Sequence, residues 1–551
     1  MDRTVAEHRV LRSRPLVIRT LCTAALVALV GCSGDLRDDP TMVAATESSM
    51  TTTSSPGPDT TPATTGIVDD TGMTKLDVGA GADLGGGLVL TCDDVEELPT
   101  NQGCEFWAVD LPNVSSTTLI TPPNDQQFAV VVSNPSSTTT ANVEIFVGDS
   151  DTAIESGPVP LDTIRVFELP AMSIEPGLTN AEGVAFRITS DLPIVAYQFQ
   201  PLDNNNPVYS NDATILFPTH VLDGDYVAIT GDAHLVGQDA FSSSDRNTGA
   251  FVSVVATQNG TSVTLYPTTP LHPGLVENVM LDRGQVLTAI SSERGAPGYG
   301  NLSGTRVAAD APVAVFSGSV ATSEPTPTEA CCADHLEHQM LPVTAWGTSY
   351  VAAPAAAATE GGNDATLYRI TAGFDGTVLE YDPLTPAGAP TMLDAYESVA
   401  FVAEAGFAVR ATDDTKSFAV AQFLLSNQYF GELLRPGDPS MLLVPAAAQL
   451  QSRYAFLVPQ GYASNFVTVI RQTGVGVEID GVEVGGAFMP LATLDGVLYE
   501  YTHAAVAAGG HVIESSEPIG ISIVGYAQDV SYGYVGGSGV EVIGTAPPPP
   551  G

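Results

Sequence analysis

The chain has 551 residues, 44% of them hydrophobic and only 15% charged, so it is long enough for several domains or one array of repeats. Its 63 acidic residues against 19 basic ones give a formal charge of −44, which argues against nucleic acid and anionic lipid surfaces as partners. Val, Thr and Gly each outnumber Leu, Pro and Ser are plentiful, and Glu and Lys are scarce, a bias toward short strands joined by turns and away from helical bundles.

In chain order, residues 1–20 carry Arg3, Arg9, Arg12, Arg14 and Arg19. Residues 21–30, LCTAALVALV, form an apolar run too short for a stable membrane span. Leu29-Val30-Gly31-Cys32 follows and resembles a bacterial lipobox, in which cleavage before the cysteine leaves Cys32 diacylated at the new N-terminus. The alternative is an ordinary secretory signal with a chance cysteine. On the lipobox reading, residues 1–31 are a lipoprotein signal peptide and the protein is lipid-anchored in a bacterial cell envelope, at the outer membrane or cell surface. Several acyl chains on one residue anchor stably where one is marginal. From Cys32 to residue 86 the chain lacks hydrophobic periodicity and reads as a Ser/Thr/Pro/Gly tether. At roughly 3.3–3.6 Å per residue it reaches well over ~100 Å when stretched.

Cys22 leaves with the signal, so Cys92, Cys104, Cys331 and Cys332 remain, and export favours their oxidation. Four cysteines allow three connectivities. The preferred one joins Cys92 to Cys104 and leaves Cys331–Cys332 as a strained vicinal disulfide. In the runner-up, each early cysteine bridges to the later pair.

From residue 104 onward one pattern recurs. A small or acidic turn leads a strand at Pro193-Ile194-Val195-Ala196, Pro312-Val313-Ala314-Val315, Ser417-Phe418-Ala419-Val420 and Pro518-Ile519-Gly520-Ile521. Proline is tolerated at a strand's first residue, so each copy reads as turn, then strand. Arg187, Arg306, Arg410 and His511 lie just upstream, and in a chain so poor in bases each is expected to pair with a carboxylate on the same sheet. A second marker sets a proline before a tyrosine, as Pro218…Tyr226, Pro342…Tyr350 and Pro445…Tyr454. A third reads as a hairpin, 251–256 through Asn259-Gly260 to 263–265, 366–370 through Asp375-Gly376 to 378–381, and 466–470 through Gly474 to 477–479. A period of about a hundred residues with six or seven strands is the size of a two-sheet sandwich. The expected fold is therefore all-β, an array of about four antiparallel β-sandwich-like repeats near 104–201, 212–318, 334–426 and 438–530, within a repeat region of 87–545. The alternative is a β-propeller-like arrangement, whose blades need only about forty to fifty residues. Residues 546–551 form a Pro-rich tail.

Asp334-His335-Leu336, then Gln339-Met340-Leu341-Pro342-Val343-Thr344-Ala345-Trp346-Gly347-Thr348-Ser349-Tyr350-Val351, preceded by Pro312-Val313-Ala314-Val315-Phe316-Ser317-Gly318, resembles the IgGFc-binding protein N-terminal domain family. The entry segment Gly103-Cys104-Glu105-Phe106-Trp107-Ala108-Val109-Asp110 is similar to its bacterial branch, as found in myxobacteria-like surface lipoproteins. The resemblance covers roughly 100–540. It implies a binding or adhesion module with no catalytic residues, and it does not carry immunoglobulin binding over to this chain.

His335 and His338 lie three apart beside Asp334, Glu337 and two cysteines. On a helix they would share a face and could hold zinc, but HLEH is not HExxH, and the competing reading is an ordinary polar loop between the second and third copies. They stay weak metal candidates. Asp149/Asp151 and Asp223/Asp225 could bind Ca²⁺, without an EF-hand loop or RTX repeat to support it; otherwise no cofactor is expected. No Gly-x-Ser-x-Gly or Walker A motif occurs, so no catalytic residue is assigned. Trp107 and Trp346 read as core or corner aromatics, the latter in a loop that could be exposed. The expected function is non-enzymatic: a membrane-anchored surface lipoprotein binding an unidentified extracellular protein or glycan. The alternatives are a structural spacer or coat protein, and a surface hydrolase.

Overall fold

The computed structural model describes residues 73–75, 91–96, 98–114, 122–174, 179–181, 183–202, 204, 210–233, 249–272, 274, 276–291, 300–325, 333–358, 362–431, 435–540 and 543. Cys32, most of the tether, Cys331, Cys332 and the Pro-rich tail lie outside them. A strand, β1 (Met73–Lys75), precedes four units of one topology.

Unit 1 holds β2 (Gly103–Ala108), β3 (Phe128–Asn134), β4 (Ala141–Val147), β5 (Glu155–Val159), β6 (Thr163–Leu169), β7 (Thr179–Ala181), β8 (Phe186–Gln200) and β9 (Asp212–Leu216). Unit 2 holds β10 (Asp225–Val227), β11 (Ala250–Ala256), β12 (Thr261–Tyr266), β13 (Leu271–His272), β14 (Val279–Leu281), β15 (Val286–Ser291), β16 (Arg306–Ala309), β17 (Val313–Thr322) and β18 (Asp334–Gln339). Unit 3 holds β19 (Ser349–Ala352), β20 (Thr366–Ala372), β21 (Thr377–Asp382), β22 (Met392–Leu393), β23 (Ser398–Ala403), β24 (Phe407–Ala411), β25 (Phe418–Phe423) and β26 (Met441–Leu443). Unit 4 holds β27 (Gln451–Val458), β28 (Ser464–Gln472), β29 (Val477–Ile479), β30 (Val482–Glu483), β31 (Met489–Leu494), β32 (Val497–Ala505), β33 (Gly509–Ala527) and β34 (Val530–Val535).

Each unit has two antiparallel sheets. In unit 2 their orders are β10-β16-β12-β14 and β15-β11-β17-β18, and unit 3 repeats them as β19-β24-β21-β22 and β23-β20-β25-β26. Units 1 and 4 follow the same plan, except that one long strand serves both sheets. The first half of β8 pairs with β2 and β4, its second half with β3 and β9. The first half of β33 likewise pairs with β27 and β29, its second half with β28 and β34. The sandwich array is the arrangement observed, since a propeller blade would be a single sheet.

Two local expectations are corrected. Pro193 and Pro518 lie inside continuous strands rather than after turns. They mark where β8 and β33 change sheet, because a residue without N–H cannot continue a ladder. The apparent hairpins are also not hairpins: β11 and β12 fall in different sheets, as do β20 and β21, while β28 and β29 pair not with each other but with opposite halves of β33. Gly260 and Gly376 have the positive φ (74° and 62°) expected of their turns. The turns, however, arch across the core so that both strands turn their apolar faces inward.

The tyrosine marker is a corner brace. Tyr226 Oη accepts from Asp223 N (3.0 Å) and donates to Val313 O (2.8 Å). Tyr350 does the same with Gly347 N and Phe418 O, and Tyr454 with Gln451 N and Ile519 O. Each acceptor begins the marker strand of its unit. In unit 1 Phe106 stands opposite Ile188, as Tyr226 stands opposite Val307, and brings no hydroxyl.

The units are interlocked. β7 of unit 1 pairs with β15 of unit 2. Arg369 of unit 3 donates to Ser303 Oγ of unit 2 at 2.9 Å. Leu491 and Leu494 of unit 4 pack on Val351 and Ala408 of unit 3. Arg453 of unit 4 pairs with Asp162 of unit 1 at 3.0 Å. The closing strands β9, β18, β26 and β34 touch one another in a cycle, so the array closes into a ring with those strands at its centre.

Removing one corner hydroxyl tests the brace. Tyr226→Phe leaves the half-buried Asp223 N–H and the buried Val313 C=O without their hydroxyl partner and should cost about 1–3 kcal/mol, read as a lowered denaturant midpoint at constant slope; an unchanged midpoint would show that the hydroxyl does not brace the fold.

Candidate functional site

The stretch that drew attention in the sequence, from Asp334 onward, is not a loop. Asp334–Gln339 is β18, a strand whose six residues are all buried. On a strand, His335 and His338 project to opposite faces, so the shared face that a helix would give them does not exist. Among the described residues no group of three or more His, Cys, Asp or Glu side chains is placed to hold a metal ion. Trp346 is likewise buried, with Nε1 donating to Leu341 O at 3.2 Å.

A buried strand reading DHLEHQ has a physical reason. The central strands are edges of their own sheets, so one row of their backbone groups has no ladder partner, and unpaired buried N–H groups are costly. Side chains take the place of the missing neighbours. Asp212 Oδ2 accepts from Glu337 N (3.2 Å) and Met441 N (3.0 Å), and Oδ1 from Ser440 Oγ (2.7 Å), Gly533 N (3.3 Å) and Ala213 N (3.0 Å). One carboxyl thus reaches β18, β34 and the β26 segment. Gly533 has no room for a side chain, since a Cβ there would lie 2.7 Å from Ser440 Oγ. Asp334 accepts from Asn211 N (2.7 Å), His335 N (2.8 Å) and Ser531 N (3.3 Å). Gln339 N donates to Thr214 Oγ1 at 3.0 Å, and Phe217 N to Gln339 Oε1 at 2.8 Å.

Burial decides the charge state of this hub. It pushes the Asp212 carboxyl up to about 8 against the pull of its donors, and raises Asp334 and Glu337 well above the usual carboxylate range, with neighbouring carboxyls adding to the effect. Burial lowers His335 to about 3 and His338 to about 4. His335 Nε2 and Glu337 Oε2, 3.4 Å apart, therefore form a neutral contact rather than an ion pair.

The scarce bases are placed as expected. Arg187 pairs with Glu105 (3.8 Å), Arg306 with Asp225 (2.6 Å), Arg410 with Glu380 (2.7 Å) and His511 with Asp480 (2.7 Å). Of the Ca²⁺ candidates, Asp225 is thus engaged by Arg306, and Asp149 lies 3.6 Å from Arg283. Cys92 and Cys104 form a disulfide, the preferred pairing.

Two arrangements were invisible in the sequence. A cleft of about 330 Å³ opens between units 3 and 4, lined by Glu380, Asp382, Arg410, Thr493 and Asp495, and Arg410 spans it from Glu380 to Asp495 (3.4 Å). His503 sits between Thr468 Oγ1 (3.0 Å) and Asn363 Oδ1 (2.9 Å). That chain has the residue types of a nucleophile, base and orienter, but Thr468 is buried and is the cross-strand partner of His503, so it serves to tie unit 4 to unit 3.

The hub sets a pH dependence. Carboxyls raised in the folded state hold protons that the unfolded chain releases above about pH 4. Their contribution to stability is therefore full below that range and lost as pH rises toward 8. His335 and His338, neutral in the folded state, titrate in the opposite sense and gain stability as pH rises to about 6.5, so the melting temperature should fall gently from pH 5 to about pH 6.5 and steeply from there to pH 8. Glu337→Gln, which keeps the shape and removes one titration, should flatten the fall; a melting temperature that climbs with pH would show the hub to be ionised.

Comparison with known proteins adds one result. A family described as "IgGFc binding protein" matches residues 212–525, more than half of the chain, from the first residue of β9 to within β33. No curated protein matches. Among solved structures, an anti-sigma factor domain-containing protein from Clostridium clariflavum shares 8% identity over 73% of this chain and 98% of its own, at a TM-score of 0.11, too low to bear on the fold. With the match spanning units 2 to 4, the chain belongs to the IgGFc-binding protein family.

Proposed function

We propose that this chain is a non-enzymatic binding module of a bacterial cell envelope, held by a lipid on Cys32 and displayed on the 32–86 tether. Its four-unit head engages an extracellular protein. The observation that carries this reading is the family match over 212–525, a binding-domain family rather than an enzyme family. The leader and the Leu29-Val30-Gly31-Cys32 motif supply the anchor. The charge of −44 directs it toward basic or neutral partners, because like charge suppresses association. Immunoglobulin belongs to the family's description and is not assigned to this chain, and a glycan partner is the second ligand class to screen.

Two experiments test the reading. Cys32→Ser should move the protein from the membrane fraction to the soluble fraction; retention would sink the lipid anchor. The soluble head, immobilised and exposed to surface extracts and to a glycan array, should retain a saturable ligand. A head that retains none and sediments as an assembled polymer would favour a coat or spacer instead.

A further inference from the structure

Each unit's second sheet has one outer strand: β6, β15, β23 and β32. In three units that edge is covered. β1 pairs with β6, β7 and β13 share β15, and β31 covers β32. β23 pairs with β20 alone, and among the described residues no strand lies on its other side.

The vacant positions can be named. Ala256 N donates to Gln285 O in unit 2 (3.2 Å), and Ala372 N donates to Glu397 O in unit 3 (3.1 Å), which aligns the two edges residue by residue. Hydrogen-bonded pairs alternate along an antiparallel ladder. Val286 and Thr288 therefore turn their backbone groups away from β11, and Ser398, Ala400 and Val402 turn theirs away from β20. In unit 2 the outward positions Val286 and Thr288 are met by Ala181 and Thr179 of β7. In unit 3 the 383–391 loop passes beside Phe401, where a Cβ on Gly388 would lie 3.4 Å from the Phe401 Cβ, but it forms no bridge to β23.

Open edges are ordinarily blunted by lysine, proline, a bulge or shortness. At the matching end of the other sheet type β22 and β30 have two residues and β14 three, and the longer β5 carries Pro158. β23 has six residues, SVAFVA, with neither proline nor charge. Its surroundings are acidic: Asp394, Glu397 and Glu404 are exposed around its ends, and no lysine or arginine occurs between Asp382 and Val409.

We propose that β23 is a docking edge for an extended, basic polypeptide segment of the extracellular partner, which adds as a further antiparallel strand on Ser398, Ala400 and Val402. Backbone bonds give the affinity, as in other strand additions, and the flanking carboxylates select lysine- or arginine-bearing segments. The proposal rests on the reading of the chain as an extracellular binding module.

The test uses the full folded head and an acetylated nine-residue peptide of alternating lysine and valine. Fluorescence anisotropy should show saturable binding, weakened at least tenfold when glutamate replaces lysine or when alternate peptide amides are N-methylated. Hydrogen exchange should show protection confined to Ser398, Ala400 and Val402. Ala400→Pro removes one outward N–H and no ladder bond to β20, so it should keep the melting temperature and weaken binding at least tenfold. Should that variant not fold, Glu397→Lys/Glu404→Lys reads the charge requirement and should also weaken binding. No saturable binding, or binding with protection elsewhere, overturns the edge. Capture of an envelope partner by the head that is unaffected by Ala400→Pro would overturn the edge while leaving the binding-module reading intact; peptide binding at β23 without any natural partner captured would do the reverse.

Discussion

The carboxyl of Asp212 is the point on which the four units converge. It belongs to the closing strand of unit 1 and accepts from backbone or hydroxyl donors of units 2, 3 and 4. Four sandwiches could be strung like beads with exposed closing edges. Here those edges meet at the centre, and meeting there removes their backbone groups from water. The hub side chains answer that requirement, since a buried donor left without an acceptor is worse than no donor at all. Polarity at the centre and apolar packing in each unit are two consequences of one closure.

The electrostatic character follows. Among the described residues the hub's hydrogen bonds join carboxyls, amides, hydroxyls and imidazoles and include no lysine or arginine, and burial favours the protonated acids and the neutral histidines. The arginines work elsewhere, in the first sheet of each unit and at unit borders, where Arg453 bridges Glu514 and Asp162. A protein with so few cations places nearly every one described here against a carboxylate or an aromatic ring.

Much of this was legible in the residues. Periodicity announced four copies, the scarce bases announced their ion pairs, and the recurring tyrosines marked a shared corner. What misled has physical causes. Asp334–Gln339 reads as a loop because polar runs ordinarily face water, and only the ring closure makes a polar strand the cheaper solution. Asn259-Gly260 reads as a hairpin because the turn needs positive φ whether its strands pair or arch between sheets. The zinc-like spacing of His335 and His338 depended on assuming helical geometry. The Arg410 cleft draws on residues far apart in the chain, and no local pattern foretells it.

The sequence period and the folded units are out of step by one strand. Each copy, as the sequence repeats it, opens with the strand that finishes the preceding sandwich: Asp212–Leu216 pairs with β8, Asp334–Gln339 with β17, Met441–Leu443 with β25. A cut at a repeat boundary therefore leaves one sandwich open and hands its neighbour an orphan edge. The centre is complete only when β34, the closing strand of unit 4, takes its place beside β9. Evolution can vary the outer strands and loops of any unit separately, but it can add or delete a unit only by rebuilding the ring.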